Sequence, residues 1–233
     1  MTTLHVLSAG AAKGLVLAIQ PQFETARGVA FASSFGAVGA MKEKLAAGEP
    51  CDLIILSAAL IAVLADEGAV RPDSVAALGS VHTGIAVPAG ADRPDIADAD
   101  GLRHALLAAA AIYLPDPERA TAGIHFANVL RALGIYDAVR PRLRAYPNGA
   151  TAMRAMADSS EPGLIGCTQV TEINYTDGVT LVGVLPREFE LATTYSLAVC
   201  ARAQEPALAA EFAALLAGPV SRDLRVAGGF VVD

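Results

Sequence analysis

Gly48-Glu49-Pro50-Cys51-Asp52-Leu53-Ile54-Ile55-Leu56 closes one element and opens the next within a few residues. Glycine adopts left-handed backbone angles without a steric penalty, and proline has no N–H to extend a helix, so Gly48-Glu-Pro marks a helix stop. Leu53–Leu56 then offers solvent no polar position. A short unbroken run of branched apolar residues suits a strand covered on both faces, the kind that parallel sheets use. Immediately upstream, Gly36–Ala47 carries Val38, Met41 and Leu45 on one helical face. Downstream, Ala58–Glu67 is a second helix. Further back, Gly28–Ser34 is a strand, and Leu4–Leu7 is a short strand followed by Leu15, Ile19 and Phe23 at helical spacing. The order βαβαβα calls for a mostly parallel sheet with helices on both faces.

The rest of the chain repeats the alternation. Val81–Val87 is a longer strand followed by a polar turn at Pro88–Pro94. Helices are predicted near Asp100–Ala110, Ala122–Leu133 and Ala150–Ala157, with strands at Ala111–Leu114, Leu164–Cys167 and Val179–Val184. Thr194–Cys200 is another strand, and Pro206–Ala217 a helix. Two α/β units, with Val81–Val87 and Thr194–Cys200 as crossovers, describe a hinged two-lobed molecule. Lobe one takes residues 1–81 and 196–233, and lobe two takes 82–195. A single doubly wound domain is the alternative.

Composition narrows the function. The chain has 233 residues, 54% hydrophobic and 18% charged, with no Trp and a net charge of −7. An acidic surface repels nucleic acid and anionic membranes, so neither partner is expected. No apolar run reaches the roughly 18–20 residues a membrane helix needs. Three widely separated cysteines without CxxC spacing suggest neither zinc nor a disulfide framework, and favour a reducing compartment. Met1-Thr-Thr-Leu-His-Val-Leu enters a strand directly, which reads as cytoplasmic, or as periplasmic if a leader was removed. No HxH, HExxH or carboxylate-rich loop points to a metal, and no GxxxxGK[ST] loop points to a nucleotide, so no cofactor is expected.

Four stretches resemble the periplasmic molybdate-binding proteins and the wider type 2 periplasmic substrate-binding family. They are Ala46-Ala-Gly-Glu-Pro-Cys-Asp-Leu-Ile-Ile, Pro115-Asp-Pro-Glu-Arg-Ala-Thr-Ala-Gly-Ile, Val129-Leu-Arg-Ala-Leu-Gly-Ile-Tyr-Asp and Gly163-Leu-Ile-Gly-Cys-Thr-Gln. They fall in the family's order and spacing across nearly the whole chain. The resemblance implies an α/β, two-lobed type 2 periplasmic-binding-protein fold, with two mixed, mostly parallel sheets joined by a two-strand hinge. It also implies a small anionic ligand in the interlobe cleft and, for an exported chain, an ABC permease as partner. In molybdate binders, serine-bearing turns after the first two strands hold the oxyanion. Here Ala11 matches the first serine, Ala37-Val38-Gly39 the serine run, and Cys167 a ligand-contacting tyrosine. Backbone donors at Ala122 and Gly149 match in kind.

Four helix N-termini follow Ser8, Ser34, Thr121 and Asn148. Free N–H groups and the helix dipole attract anions there without Lys or Arg, although Ser and Asn before a helix are also ordinary caps. The expected ligand contacts are Ser8, Ala9, Gly10 and Ala11 in the first turn, with Ser33, Ser34, Phe35 and Gly36 in the second. Thr121, Ala122 and Gly123 form the third, and Asn148 and Gly149 the fourth. Cys167, Thr168 and Gln169 follow a buried strand and assist. Phe35 in a cleft suits a ligand with a carbon skeleton; packed between helix and sheet it is structural. His125 and Cys167 are the catalytic candidates, as a Cys–His pair or acid–base couple, set against plain core roles. Three functions are open: an anion-binding protein for ABC import, a cytosolic ligand sensor, or a cytosolic isomerase, tautomerase or lyase of an organic acid.

Overall fold

The computed structural model describes residues 2–232. The chain forms two compact units, one comprising the chain up to Val81 and from Thr193 onward, the other running from His82 to Ala192.

In chain order, the first unit opens with strand β1 (Thr3–Ala9), a buried 3₁₀ turn (Gly10–Ala12) and helix α1 (Lys13–Arg27). Strand β2 (Ala30–Gly36), helix α2 (Val38–Ala46), strand β3 (Leu53–Ser57) and helix α3 (Ala58–Asp66) follow. Strand β4 (Ala76–Pro88) leads into the second unit, built from α4 (Ala99–Ala108), β5 (Ala111–Pro115), α5 (Thr121–Ala132), the single turn α6 (Tyr136–Val139) and β6 (Leu143–Tyr146). It continues through α7 (Gly149–Ala157), β7 (Leu164–Gln169), α8 (Val170–Asn174) and β8 (Val179–Val184). Strand β9 (Ala192–Val199) returns the chain to the first unit, which ends with α9 (Pro206–Ala217), α10 (Arg222–Gly228) and β10 (Phe230–Val231).

Both units hold mixed sheets. In the first, β1 lies between β2 and β3, parallel to both, while β9 runs antiparallel to β3 and β10 antiparallel to β4. In the second, β5 is parallel to β6 and β7, and β4 pairs antiparallel with β7 and β8. The alternation of side chains along a strand feeds two cores. Ile112 and Leu114 of β5 pack with Leu102, Phe126 and Leu130 on one face, while Ala111 and Tyr113 meet Met153, Met156 and Ile173 on the other. The first unit packs Ile54 and Leu56 with Met41, Ile61 and Leu64. Phe23, Phe31 and Phe212 form an aromatic triad there, with ring centroids 4.8–5.9 Å apart.

Two boundaries differ from the expectation. The strand predicted over Gly28–Ser34 begins at Ala30, because Gly28 is the left-handed C-cap of α1 (φ 62°), its N–H donating to Glu24 O. The crossover strand predicted over Val81–Val87 starts at Ala76, its early residues held by β10. The short elements α6, β6, α8, α10 and β10 are additional to those predicted, too brief to show a period. Asp52, 1% exposed, ties the chain ends of the first unit together: it accepts from His5 N (2.8 Å), Gln204 N (2.6 Å) and Glu205 N (2.9 Å) just before α9. A carboxylate at that helix start satisfies orphan N–H groups and meets the positive end of the dipole.

Candidate functional site

In the first unit the parallel register sets Ser8 beside Phe35 and Ala9 beside Gly36, so the carboxyl ends of β1 and β2 finish together. No side chain caps α1 or α2, which leaves their first N–H groups to other acceptors. Ser8 is fully buried and its hydroxyl donates to Ala9 O at 3.0 Å. The Ser33 hydroxyl oxygen is shielded from solvent and has no hydrogen-bond partner among the described residues. Gly10 and Ala11 are buried in the 3₁₀ turn, and Ser34 and Phe35 are half-buried. Lys13, at the first position of α1, places its Nζ 5.8 Å from the centre of the Phe35 ring. The pair brings a cation and an aromatic face together at the start of α1, where Lys13 N itself donates to Gly10 O. Lys13 was not singled out from the sequence. Its signal there is a lone cation immediately after a run of small residues.

In the second unit the equivalent strand ends are more elaborate. Asp116 Oδ1 accepts from Glu118 N (2.8 Å) and Arg119 N (3.1 Å), shaping the loop into α5. Thr121 begins α5, Ala122 and Gly123 are buried, and no side chain caps the helix. A Cβ on Gly123 would strike the carbonyls of Pro115 and Asp116, so this glycine serves the close approach of α5 to the end of β5. At α7 the Asn148 side chain caps Thr151 N at 2.9 Å and also accepts from the Thr151 hydroxyl at 2.9 Å.

The fourth turn holds a group the sequence reading passed over. Glu172 on α8 is 6% exposed and aims its carboxylate at the start of α7. Oε1 accepts from Ala150 N at 3.3 Å, Oε2 from the Thr168 hydroxyl at 2.5 Å, and the Gly149 and Gln169 N–H groups also donate to the carboxylate. A Cβ on Gly149 would land on Thr168 Oγ1 and Glu172 Oε2, so only glycine admits this arrangement. Burial pushes the Glu172 carboxyl above its ordinary value, while the hydrogen bonds from Thr168, Ala150, Gln169 and Gly149 pull it back. The outcome is a buried carboxyl whose pKa lies above its ordinary value and whose oxygens are held by four donors. Its spacing, four residues after Thr168 at the end of a buried strand, was the available signal.

Thr168 and Gln169 are buried at the end of β7, opposite Gly84 and Thr83 of β4. The two catalytic candidates have separate surroundings. His125 Nε2 lies 2.7 Å from Phe189 O. Cys167 is fully buried in the core cluster with Ile85, Phe126 and Ile165, and burial pushes its thiol well up, away from the thiolate a nucleophile needs. His82 pairs with Glu190 at 2.9 Å. Among the described residues no group of three His, Cys, Asp or Glu is placed to hold a metal ion, and no helix is long and apolar enough to cross a membrane.

Comparison with known proteins fits this architecture. A relative named aconitate isomerase, from Pseudomonas sp, is 30% identical over 88% of this chain and 79% of its own length. The molybdate-binding protein ModA of Escherichia coli (strain K12) is 24% identical over 98% of this chain and 89% of its own. Among solved structures, the periplasmic molybdate-binding protein of Azotobacter vinelandii matches with a TM-score of 0.79 at 20% identity, covering 99% of both chains. The sulfate-binding protein SubI of Mycobacterium tuberculosis H37Rv matches with a TM-score of 0.72 at 21% identity, covering 99% of this chain and 86% of that one. These likenesses establish a ModA-like, two-lobed type 2 periplasmic-binding-protein fold. The family model for bacterial extracellular solute-binding proteins matches residues 4–231, and the chain belongs to that family.

Proposed function

We propose that the chain takes a small unsaturated di- or tricarboxylate as ligand and isomerises it by moving a proton. The observation that carries this reading is Glu172, a buried carboxylate raised above its ordinary value and held at the N-terminus of α7. A bare oxyanion needs donors only. An isomerase of an unsaturated acid needs, in addition, a group that removes a proton from the saturated carbon next to the double bond and returns it at the far end. A buried carboxyl within reach of the substrate carbon can do both. The negative charge that builds on the substrate carboxylate meets helix N–H groups, as an oxyanion hole would meet it. The relative named aconitate isomerase supports the substrate class. So does the Lys13–Phe35 pair, which suits an anion with a planar carbon skeleton.

A second reading has its own support. Family membership and the likeness to ModA favour an anion-binding protein that delivers its ligand to an ABC permease. One experiment separates the two. Purified protein is incubated with trans- or cis-aconitate in D₂O and followed by ¹H NMR. Conversion with deuterium entering the product is the expected result. Stabilisation by molybdate or sulfate, with every organic acid unchanged, would refute the isomerase reading in favour of the importer.

A further inference from the structure

Cys51 and Cys200 are separated by 149 positions in sequence, yet their sulfurs lie 3.4 Å apart. Cys51 precedes β3 and Cys200 follows β9, two strands paired antiparallel with Leu53 opposite Val199. The backbone around them is pinned on both sides. Cys200 N donates to Asp52 O at 2.9 Å, Ala201 N donates to Ala69 O at 2.9 Å, and Cys200 forms a bridge with Val70. Cys200 Sγ donates to Cys51 Sγ, and Cys51 Sγ donates to Leu53 O at 3.3 Å. The third cysteine, Cys167, belongs to the second unit, away from this pair.

We propose that Cys51 and Cys200 are a built-in cross-linking site that closes to a disulfide when the chain folds under oxidising conditions. The oxidant is a small-molecule or protein disulfide. One cysteine thiolate attacks it to give a mixed disulfide and release one thiol. The second thiolate then displaces the other half of the oxidant, so two hydrogens leave the protein and the oxidant is reduced to two thiols. The bond staples the N-terminal and C-terminal segments of the first unit, which the whole second unit separates in the chain. A link closing so long a loop restricts the unfolded chain strongly and raises stability. Hydrogen bonding between the thiols and burial push Cys200 up, so the folded, reduced pair reacts slowly. The window for closure is therefore folding itself. An odd cysteine count suggests stray thiols; the structure resolves it into a pair plus one core residue.

The test is refolding of denatured, reduced protein in a mixture of oxidised and reduced glutathione. Intact mass and peptide mapping follow, then thermal unfolding with and without reductant. The expected product is a monomer about 2 Da lighter, linked 51 to 200, with Cys167 free and a melting temperature several degrees above the reduced form. Cys200→Ser should refold without the link and lose the difference. Free thiols at 51 and 200 in the refolded wild type, a link through Cys167, or a linked form that melts lower than the reduced one would each overturn the proposal. Catalytic turnover plays no part in this readout.

Discussion

Gly149→Ala probes the most constrained point of the second unit. The added Cβ would fall on Thr168 Oγ1 and Glu172 Oε2. Neither can swing away cheaply. Thr168 is fully buried on β7 with its backbone paired to Gly84, and its hydroxyl is spent on Glu172 at 2.5 Å. Overpacking a rigid site costs about 1–3 kcal/mol. Breaking a hydrogen bond to a buried carboxylate adds about 1.5–3 kcal/mol. The two overlap in part, so the expected loss is about 3–5 kcal/mol. In a chain of 233 residues each kcal/mol moves Tm by about 2–4 °C, which gives a fall of roughly 6–20 °C. Circular dichroism during heating measures it. The double variant Gly149→Ala/Thr168→Ala, which removes one of the struck atoms, should lose less than the two single changes summed. A Tm for Gly149→Ala within about 2 °C of wild type would refute the claim that Thr168 and Glu172 fill the space before α7.

Three further outcomes are expected. Burial raises the Glu172 carboxyl above 4.5, so the folded state favours its proton, and the stability it contributes at acid pH is lost as pH climbs through the raised value. Glu172→Gln should therefore flatten the decline of Tm as pH rises from the ordinary carboxyl value, and an unchanged slope would contradict the raised pKa. Asp52→Ala leaves the N–H groups of His5, Gln204 and Glu205 without their acceptor. It should cost about 3 kcal/mol or more in urea unfolding, and a loss under about 1 kcal/mol would remove Asp52 as the tie between chain ends. Lys13→Ala should weaken a tricarboxylate about tenfold by calorimetry, or about 1.4 kcal/mol, with Tm almost unmoved. Equal affinity would take Lys13 out of the site.

The long periodic segments declared themselves. Leu53–Leu56 has no polar residue to place in water, and α2, α5, α7 and α9 repeat apolar positions over at least two turns. Four turns with small residues at strand ends were also readable, because glycine and serine before a helix carry a geometric meaning in the chain alone. Glu172 was not. Nothing within its own five-residue helix distinguishes it from a solvated acid. Its character comes from α7, some twenty positions earlier, whose first N–H groups the fold delivers to it. Lys13 is similar, since its partner Phe35 arrives through the register of β1 with β2. Cys51 and Cys200 likewise meet only because β9 returns beside β3. Periodicity reports what one segment needs. It does not report which distant segment answers.

The self-filled N-terminus of α7 also bears on what kind of anion this member of the family can hold. Two unit charges 4 Å apart repel by about 4 kcal/mol at the effective dielectric of a partly shielded site. Where Glu172 is ionised, an inorganic anion placed against it meets that repulsion, and only protonation of the carboxyl relieves it. Under the proposed function a carbon acid passes a proton to Glu172; the total charge is unchanged, and the negative charge moves onto the substrate. Under that proposal the carboxylate that repels an inorganic oxyanion is the proton carrier for a carbon acid. On that proposal one buried acid would be what turns a scaffold that holds an anion into one that rearranges it.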